Sequence, residues 1–259
     1  MDWVPSWDGG IPPDGAIGLS ALLNWQYVLI LQMAAELEEL MGGHLRSQEY
    51  RAQSLQISQA ATLKFWDDTR GLFTDDISHQ HFSEHTQCLA LLSGLLNPSI
   101  KEKITAGLVS APDLTRTTVY FTHYLFETYR EIGRTDLLLD RMSLWFDLKK
   151  MGFKTPIEQP EPSRSDCHAW SSHPLYHYYT SILGIRPASL AFKTVRIKPQ
   201  LGPLSTAQGK LVHPNGVIDV DFRKEQGNLH GHISLPDGIS GVLQVDGETK
   251  ELTPGAQEF

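Results

Sequence analysis

Near residue 190 the hydrophobic period of this chain changes from helical to alternating, and that switch most constrains its fold. Upstream, apolar residues recur at helical spacing. Ala16–Met41 reads as a long helix closed by Gly42-Gly43, and Leu45–Trp66 as a second with a more polar face. Ser83–Leu96 reads as a third, with Ser83 as N-cap and Asn97-Pro98 as its end, and Ser99–Val109 as a fourth. Thr117–Ile132 and Thr135–Met151 predict a helix pair joined at Gly133-Arg134, and Leu175–Leu183 a short last helix. Short connections between long helices imply antiparallel hairpins. Downstream, Val195-Arg196-Ile197-Lys198 alternates, and Asn215-Gly216 between Lys210–Val212 and Val217–Val220 is a strong hairpin signal. Further strands follow at 229–233 and 241–245. The expected fold is mainly α over residues 1–189, followed by a small antiparallel β-sandwich over residues 190–259.

Composition excludes several classes of function. The net charge is −8 with no basic stripe, so nucleic acid is not an expected partner. The apolar run around Val28–Met33 is too short and too interrupted by Gln26, Gln32 and Glu36 to span a bilayer, so no membrane partner is expected. Met1-Asp2-Trp3-Val4-Pro5 lacks the basic-then-apolar pattern of a secretory signal, and a cytoplasmic location is the expectation. Cys88 and Cys167 suggest no disulfide framework and read as small buried thiols. His79, His81 and His85, with Glu84 nearby, do not have the spacing of a helical His-Glu-x-x-His metal site. No Gly-rich phosphate loop precedes a helix, and Ser165 lies too close to His168 in sequence for a nucleophile triad. Neither metal nor cofactor is expected.

Chemistry concentrates in Glu158-Gln159-Pro160-Glu161-Pro162-Ser163-Arg164-Ser165-Asp166-Cys167-His168-Ala169-Trp170-Ser171. Prolines 156, 160 and 162 forbid a regular helix there. A loop so rich in functional groups faces a cleft more readily than a core. Carboxylates handle protons, Arg and His orient hydroxyl groups, and an indole offers a flat face for a sugar ring. The combination reads as carbohydrate chemistry.

This loop, just before the last helix and a β tail, resembles the C-terminal part of α-L-rhamnosidases, which are six-hairpin glycosidases built on an (α/α)6 toroid. The resemblance also rests on Asp2-Trp3, Phe65-Trp66-Asp67 with Gly71-Leu72-Phe73, and Ser83-Glu84-His85-Thr86-Gln87. Tyr120-Phe121 with His123-Tyr124-Leu125, and Gly184-Ile185-Arg186-Pro187, complete it. It implies inverting hydrolysis of terminal α-L-rhamnose, with a rhamnosylated small molecule or oligosaccharide as partner. In such chemistry an acid protonates the leaving oxygen while a second carboxylate, about 6.5–9.5 Å away, activates a water. Glu158 occupies the place of that second carboxylate. The family's acid comes from an Asp/Glu/Arg-rich loop followed by Gly-Trp, and no such loop occurs here. The expectation is therefore a chain that lacks the acid segment, is weak or inactive alone, or serves as a sugar-binding accessory protein. Helices deprived of neighbours leave apolar surface uncovered, which predicts self-association or pairing with a chain supplying more helices.

The other candidate residues carry two readings each. Arg164, Asp166 and His168 either hold sugar hydroxyls or form a salt-bridge network, such as Arg164 with Asp166, that shapes the loop. Trp170 is a stacking platform or a core anchor. Trp3, with Asp2, Trp7 and Asp8, lines the sugar pocket or frays as a terminus. Glu84 and His85 begin an inner helix by resemblance, whereas Glu84 alone reads as a first-turn acid favouring the helix dipole. Glu161 reads as a rim charge. Tyr120 and Tyr124 read as core, with the Tyr120 hydroxyl able to turn inward.

Overall fold

The computed structural model describes residues 1–259, which form two compact units. The first comprises Met1–Ile132 and Thr155–Ser171, the second Gly133–Lys154 and Ser172–Phe259.

In the first unit, α1 (Ala21–Leu40) and α2 (His44–Phe65) form a hairpin. Helix α1 buries Leu22, Trp25, Val28, Leu31 and Ala35, and α2 meets it with the small residues Ser47, Ser54, Ser58 and Ala61. Small side chains let the two backbones approach, and the Ser54 hydroxyl accepts a 2.5 Å bond from Gln32 Nε2. Strands β1 (Trp66–Asp67) and β2 (Leu72–Phe73) make a minimal ribbon. Helix α3 (Glu84–Leu92) is central, with every residue from Glu84 to Leu91 buried. Helices α4 (Pro98–Ser110) and α5 (Thr122–Glu131) complete the unit.

Several boundaries differ from expectation for local reasons. Helix α1 begins at Ala21 rather than Ala16, because Ser20 is extended in a bridge to Asp76 and the Ala21 N–H is taken by the Asp75 carbonyl. Helix α3 ends at Leu92 rather than Leu96, stopped by Gly94 at φ +71°. Asn97 does not end α3 but caps α4, accepting the Ile100 N–H at 2.9 Å, with Pro98 at the first helical position. Helix α5 starts at Thr122 instead of Thr117, because the N–H groups of Thr117 and Thr118 are spent on carboxylates elsewhere.

The second unit contains α6 (Thr135–Lys150) and α7 (Pro174–His177), the latter continued by a π-helical turn over Tyr178–Ile182. Eight strands follow: β3 (Ile185–Pro187), β4 (Thr194–Ile197), β5 (Thr206–His213), β6 (Gly216–Glu225), β7 (Asn228–Leu235), β8 (Ser240–Val245), β9 (Glu248–Leu252) and β10 (Gly255–Glu258). They form two four-stranded sheets, ordered β10-β7-β6-β5 and β3-β4-β8-β9. Both contribute to one apolar core, which includes Val195, Ile197, Val220, Phe222, Ile233 and Leu243. All pairings are antiparallel except β4 with β8. The β5–β6 hairpin forms as expected but one residue early: His213 faces Gly216, so Pro214-Asn215 is the loop. Pro214 holds a negative φ at the first loop position, and Gly216 supplies the positive one, +144°, just after it. No helix is long and apolar enough to cross a membrane.

Candidate functional site

The proline-rich segment is folded back on itself by its own backbone. His168 N–H donates to the Pro156 carbonyl at 2.8 Å, and Glu158 N–H to the Ser165 carbonyl at 2.9 Å. The Ser171 hydroxyl donates to the Ile157 carbonyl at 2.5 Å, and Thr155 Oγ1 to the Asp166 carbonyl. With Ile157 buried as an apolar anchor, the loop is a defined structure without being a helix.

Glu158 sits inside this fold, only 5% exposed. Its carboxylate pairs through Oε1 with Arg164 Nη2. The Arg164 guanidinium lies over the Trp3 indole, 4.4 Å from the ring centre. Trp170 donates its indole N–H to the Glu158 carbonyl at 2.8 Å, and its ring is 4.1 Å from His168 and 5.5 Å from Tyr120. Tyr120 in turn neighbours Tyr124, whose phenol is pushed up to about 12 by burial and then by Tyr120. A buried carboxylate, a guanidinium and indole, imidazole and phenol rings therefore converge. The arrangement can accept a proton at Glu158 and present flat faces and donors to a polyhydroxy ligand.

Of the sequence-derived candidates, Glu158, Arg164, His168, Trp170 and Trp3 come together. Asp166 is exposed, and Arg164 pairs with Glu158 instead of it. Trp170 is half-buried and anchored to the loop through its hydrogen bond to the Glu158 carbonyl. Glu84 is buried at the start of α3. Its Oε2 accepts the Thr117 N–H at 2.7 Å and the Thr117 hydroxyl at 3.1 Å, so it organises the approach to α5 in addition to favouring the helix dipole. His85 is wholly buried, its ring flanked by Trp7 at 4.6 Å and Phe121 at 4.4 Å, and it offers no surface to a ligand. Glu161 is exposed and accepts the Ser163 N–H, as a rim residue does. Cys88 is buried, but Cys167 is exposed, contrary to expectation, because the turned-back loop presents it outward. The clustered histidines go to separate carboxylates: His79 to Asp67, His81 to Asp76 and His85 to Asp2.

Two further buried carboxyl groups stand out: Asp2, read from sequence as part of a pocket-lining or fraying N-terminal segment, and Asp75, which the sequence left without a role. Asp2 is 2% exposed, and the N-terminus is tied down, with the Met1 ammonium donating to the Gly10 carbonyl at 2.9 Å. Burial opposes Asp2 ionisation, but hydrogen bonds from His85 and Thr118 and the His85 charge outweigh it and hold the carboxyl below its ordinary range. Asp75 is pushed the other way, raised chiefly by burial although Thr86 and Ser83 donate to its Oδ1 at 2.5 and 2.7 Å. No periodicity marks either residue. Asp2 is held by partners far along the chain, His85 and Thr118, and Asp75 by nearer ones, Ser83 and Thr86.

Comparison with known proteins bears on the fold that carries these residues. Residues 184–259 match the family model described as the bacterial alpha-L-rhamnosidase C-terminal domain. The chain is 25% identical over 221 residues to an alpha-L-rhamnosidase of Alteromonas sp. (strain LOR), a match covering 77% of this chain and 24% of the relative. Among solved structures it is similar to the GH78 family rhamnosidase of Bacillus sp. GL1, with a TM-score of 0.83, 23% identity, and coverage of 95% of this chain and 27% of that one. It is also similar to the Streptomyces avermitilis alpha-L-rhamnosidase solved with L-rhamnose, with a TM-score of 0.73, 16% identity, and coverage of 91% and 26%. These likenesses establish the fold class, helical hairpins followed by a small β-sandwich. The chain spans about a quarter of the curated relative's length. At the level of the family it resembles the C-terminal portion of an α-L-rhamnosidase.

Proposed function

We propose that this chain carries the water-activating half of an inverting α-L-rhamnosidase site on a six-hairpin scaffold, with Glu158 as the general base. The observation that carries the reading is the buried Glu158 carboxylate, paired with Arg164 over the Trp3 indole. Arg164 engages Oε1, which leaves Oε2 to accept a proton from a water attacking the anomeric carbon. The proton passes to Glu158, the new C1–O bond forms on the opposite face, and the C1–O bond to the aglycone breaks with its electron pair on the aglycone oxygen, which departs as a stabilised phenolate or takes a proton from the acid of the other half of the site. Trp3, Trp170 and His168 line the sugar side, the imidazole able to donate and accept. Rhamnosylated small molecules or oligosaccharides are the proposed substrates.

An activated aryl glycoside tests the base by itself, because a good leaving group departs without a proton. Wild-type chain is expected to release dinitrophenol from 2,4-dinitrophenyl α-L-rhamnoside, and Glu158→Gln to lose about 10²–10⁴-fold of that rate. L-Rhamnose binding with no turnover contradicts the catalytic reading and supports a sugar-binding accessory role.

We also propose that the chain pairs through α1, either with a second copy or with a chain supplying further helices. Leu23, Tyr27, Ile30, Met33, Leu37 and Leu40 form an exposed stripe at helical spacing on that helix. A strict monomer in solution that binds no apolar dye contradicts this.

A further inference from the structure

We propose that Asp2 is a positioning residue of the candidate site: its buried carboxylate fixes the Trp3 indole beneath Arg164 and, through Arg164, sets the direction of Glu158. The function assigned to this network rests on the reading of Glu158 as the base.

Four donors converge on the Asp2 carboxylate. Oδ1 accepts the Trp3 N–H at 3.1 Å and the Thr118 hydroxyl at 2.5 Å. Oδ2 accepts the Thr118 N–H at 2.7 Å and the His85 Nε2–H at 2.8 Å. A carboxylate nearly closed to solvent and met by so many donors is a rigid anion, since each bond lost leaves an unpaired buried group. His85 faces the carboxylate through Nε2, so that nitrogen is the donor, and its buried Nδ1 makes no hydrogen bond. Trp7 and Phe121 clamp the imidazole ring from its surroundings, so the donor cannot swing away. The network thus joins the N-terminal segment to α3 and to the turn before α5, partners 83 and 116 residues distant in sequence.

What this buried anion holds is the backbone of its neighbour. Trp3 donates its own N–H to Asp2, and its ring carries the Arg164 guanidinium that pairs with Glu158. Arg164 is itself 60% exposed along its side chain, so the indole and Glu158 are what define its direction. Without the anchor, the Trp3 backbone loses its fixed acceptor and the guanidinium its platform.

The test reads Trp3 directly. The chain is labelled with 5-fluorotryptophan, and the Trp3 19F line is assigned by its loss in Trp3→Phe. In Asp2→Asn the amide turns donor hydrogens toward donors, and the Trp3 line is expected to shift and broaden while the Trp145 line stays in place. Where Asp2→Asn fails to fold, Thr118→Val, which removes one hydroxyl donor, is expected to move the same line by less. The rate on the dinitrophenyl rhamnoside is expected to fall by up to about 10²-fold through misplacement, chiefly in kcat. A folded Asp2→Asn chain whose Trp3 line coincides with wild type overturns the proposal. Absence of wild-type turnover overturns only the base reading, because the Trp3 line still decides whether Asp2 positions the indole.

Discussion

The β-sandwich and the helical unit bury different kinds of core. The β-sandwich buries an almost wholly apolar core, from Val195 and Ile197 through Phe222 to Leu252. The helical unit buries Asp2, Asp75, Glu84, His85, Gln87, Thr117, Thr118, Thr122 and Glu158 together with its aromatics. Burying polar and charged groups costs free energy unless each finds a partner, so a fold selected for stability alone avoids it. The sandwich behaves as such a fold, whereas the helical unit holds buried carboxylates whose desolvation must be offset by hydrogen bonds of fixed direction. The candidate chemistry lies where that cost is incurred.

Substitutions on the two sides of this comparison should separate stability from chemistry. The largest effects are expected from Phe222→Ala and Glu158→Gln, in different measurements. Phe222→Ala empties a fully buried site in the sandwich and should cost about 3–5 kcal/mol in denaturant unfolding. Glu158→Gln should leave unfolding within about 1 kcal/mol while removing the rate on activated rhamnosides; equal losses in both would erase the distinction.

Next in size is Asp2→Ala, expected to cost about 3 kcal/mol at neutral pH, because it leaves His85 and the Thr118 N–H unpaired in the interior. The folded pKa of Asp2 is depressed, so its stabilisation is full above the unfolded value of 3.8 and lost as pH falls through the folded pKa. The gap between wild type and Asp2→Ala should therefore close in acid, as melting curves over that range can show.

Asp75 should give the opposite slope. Its folded pKa is raised, so its contribution is greatest below 3.8 and declines as pH rises through the folded pKa. In Asp75→Asn that decline should vanish, and parallel melting temperatures for wild type and variant from pH 4 to 7 would contradict it. The smallest effect belongs to Gly216→Ala, at about 1 kcal/mol, because a φ of +144° and a new Cβ 2.9 Å from Pro236 Cβ both oppose a side chain.

Local signals made most of the fold legible. Helical spacing marked the α1–α2 hairpin, the Ser83 cap marked α3, and alternation marked the sandwich strands. Errors arose where a distant group overrode a local preference. Thr117 and Thr118 look helical in sequence, but Glu84 and Asp2 take their N–H groups and delay α5. Asn97-Pro98 read as the end of α3, but Asn97 accepts the Ile100 N–H and caps α4 instead. The candidate site divides in the same way. Glu158, Arg164, His168 and Trp170 lie within one loop and could be read together. That Trp3 joins them while Asp166 does not depends on contacts across the chain, which no spacing rule encodes.

The role of Glu158 is tested most directly by supplying a nucleophile that needs no base. Glu158→Ala should be nearly inert toward 2,4-dinitrophenyl α-L-rhamnoside in buffer. Added azide should restore turnover and yield the rhamnosyl azide of inverted configuration, identifiable by its anomeric proton signal. A folded Glu158→Ala chain that hydrolyses the substrate as fast as wild type, or that azide leaves inert while wild type is active, would contradict the account.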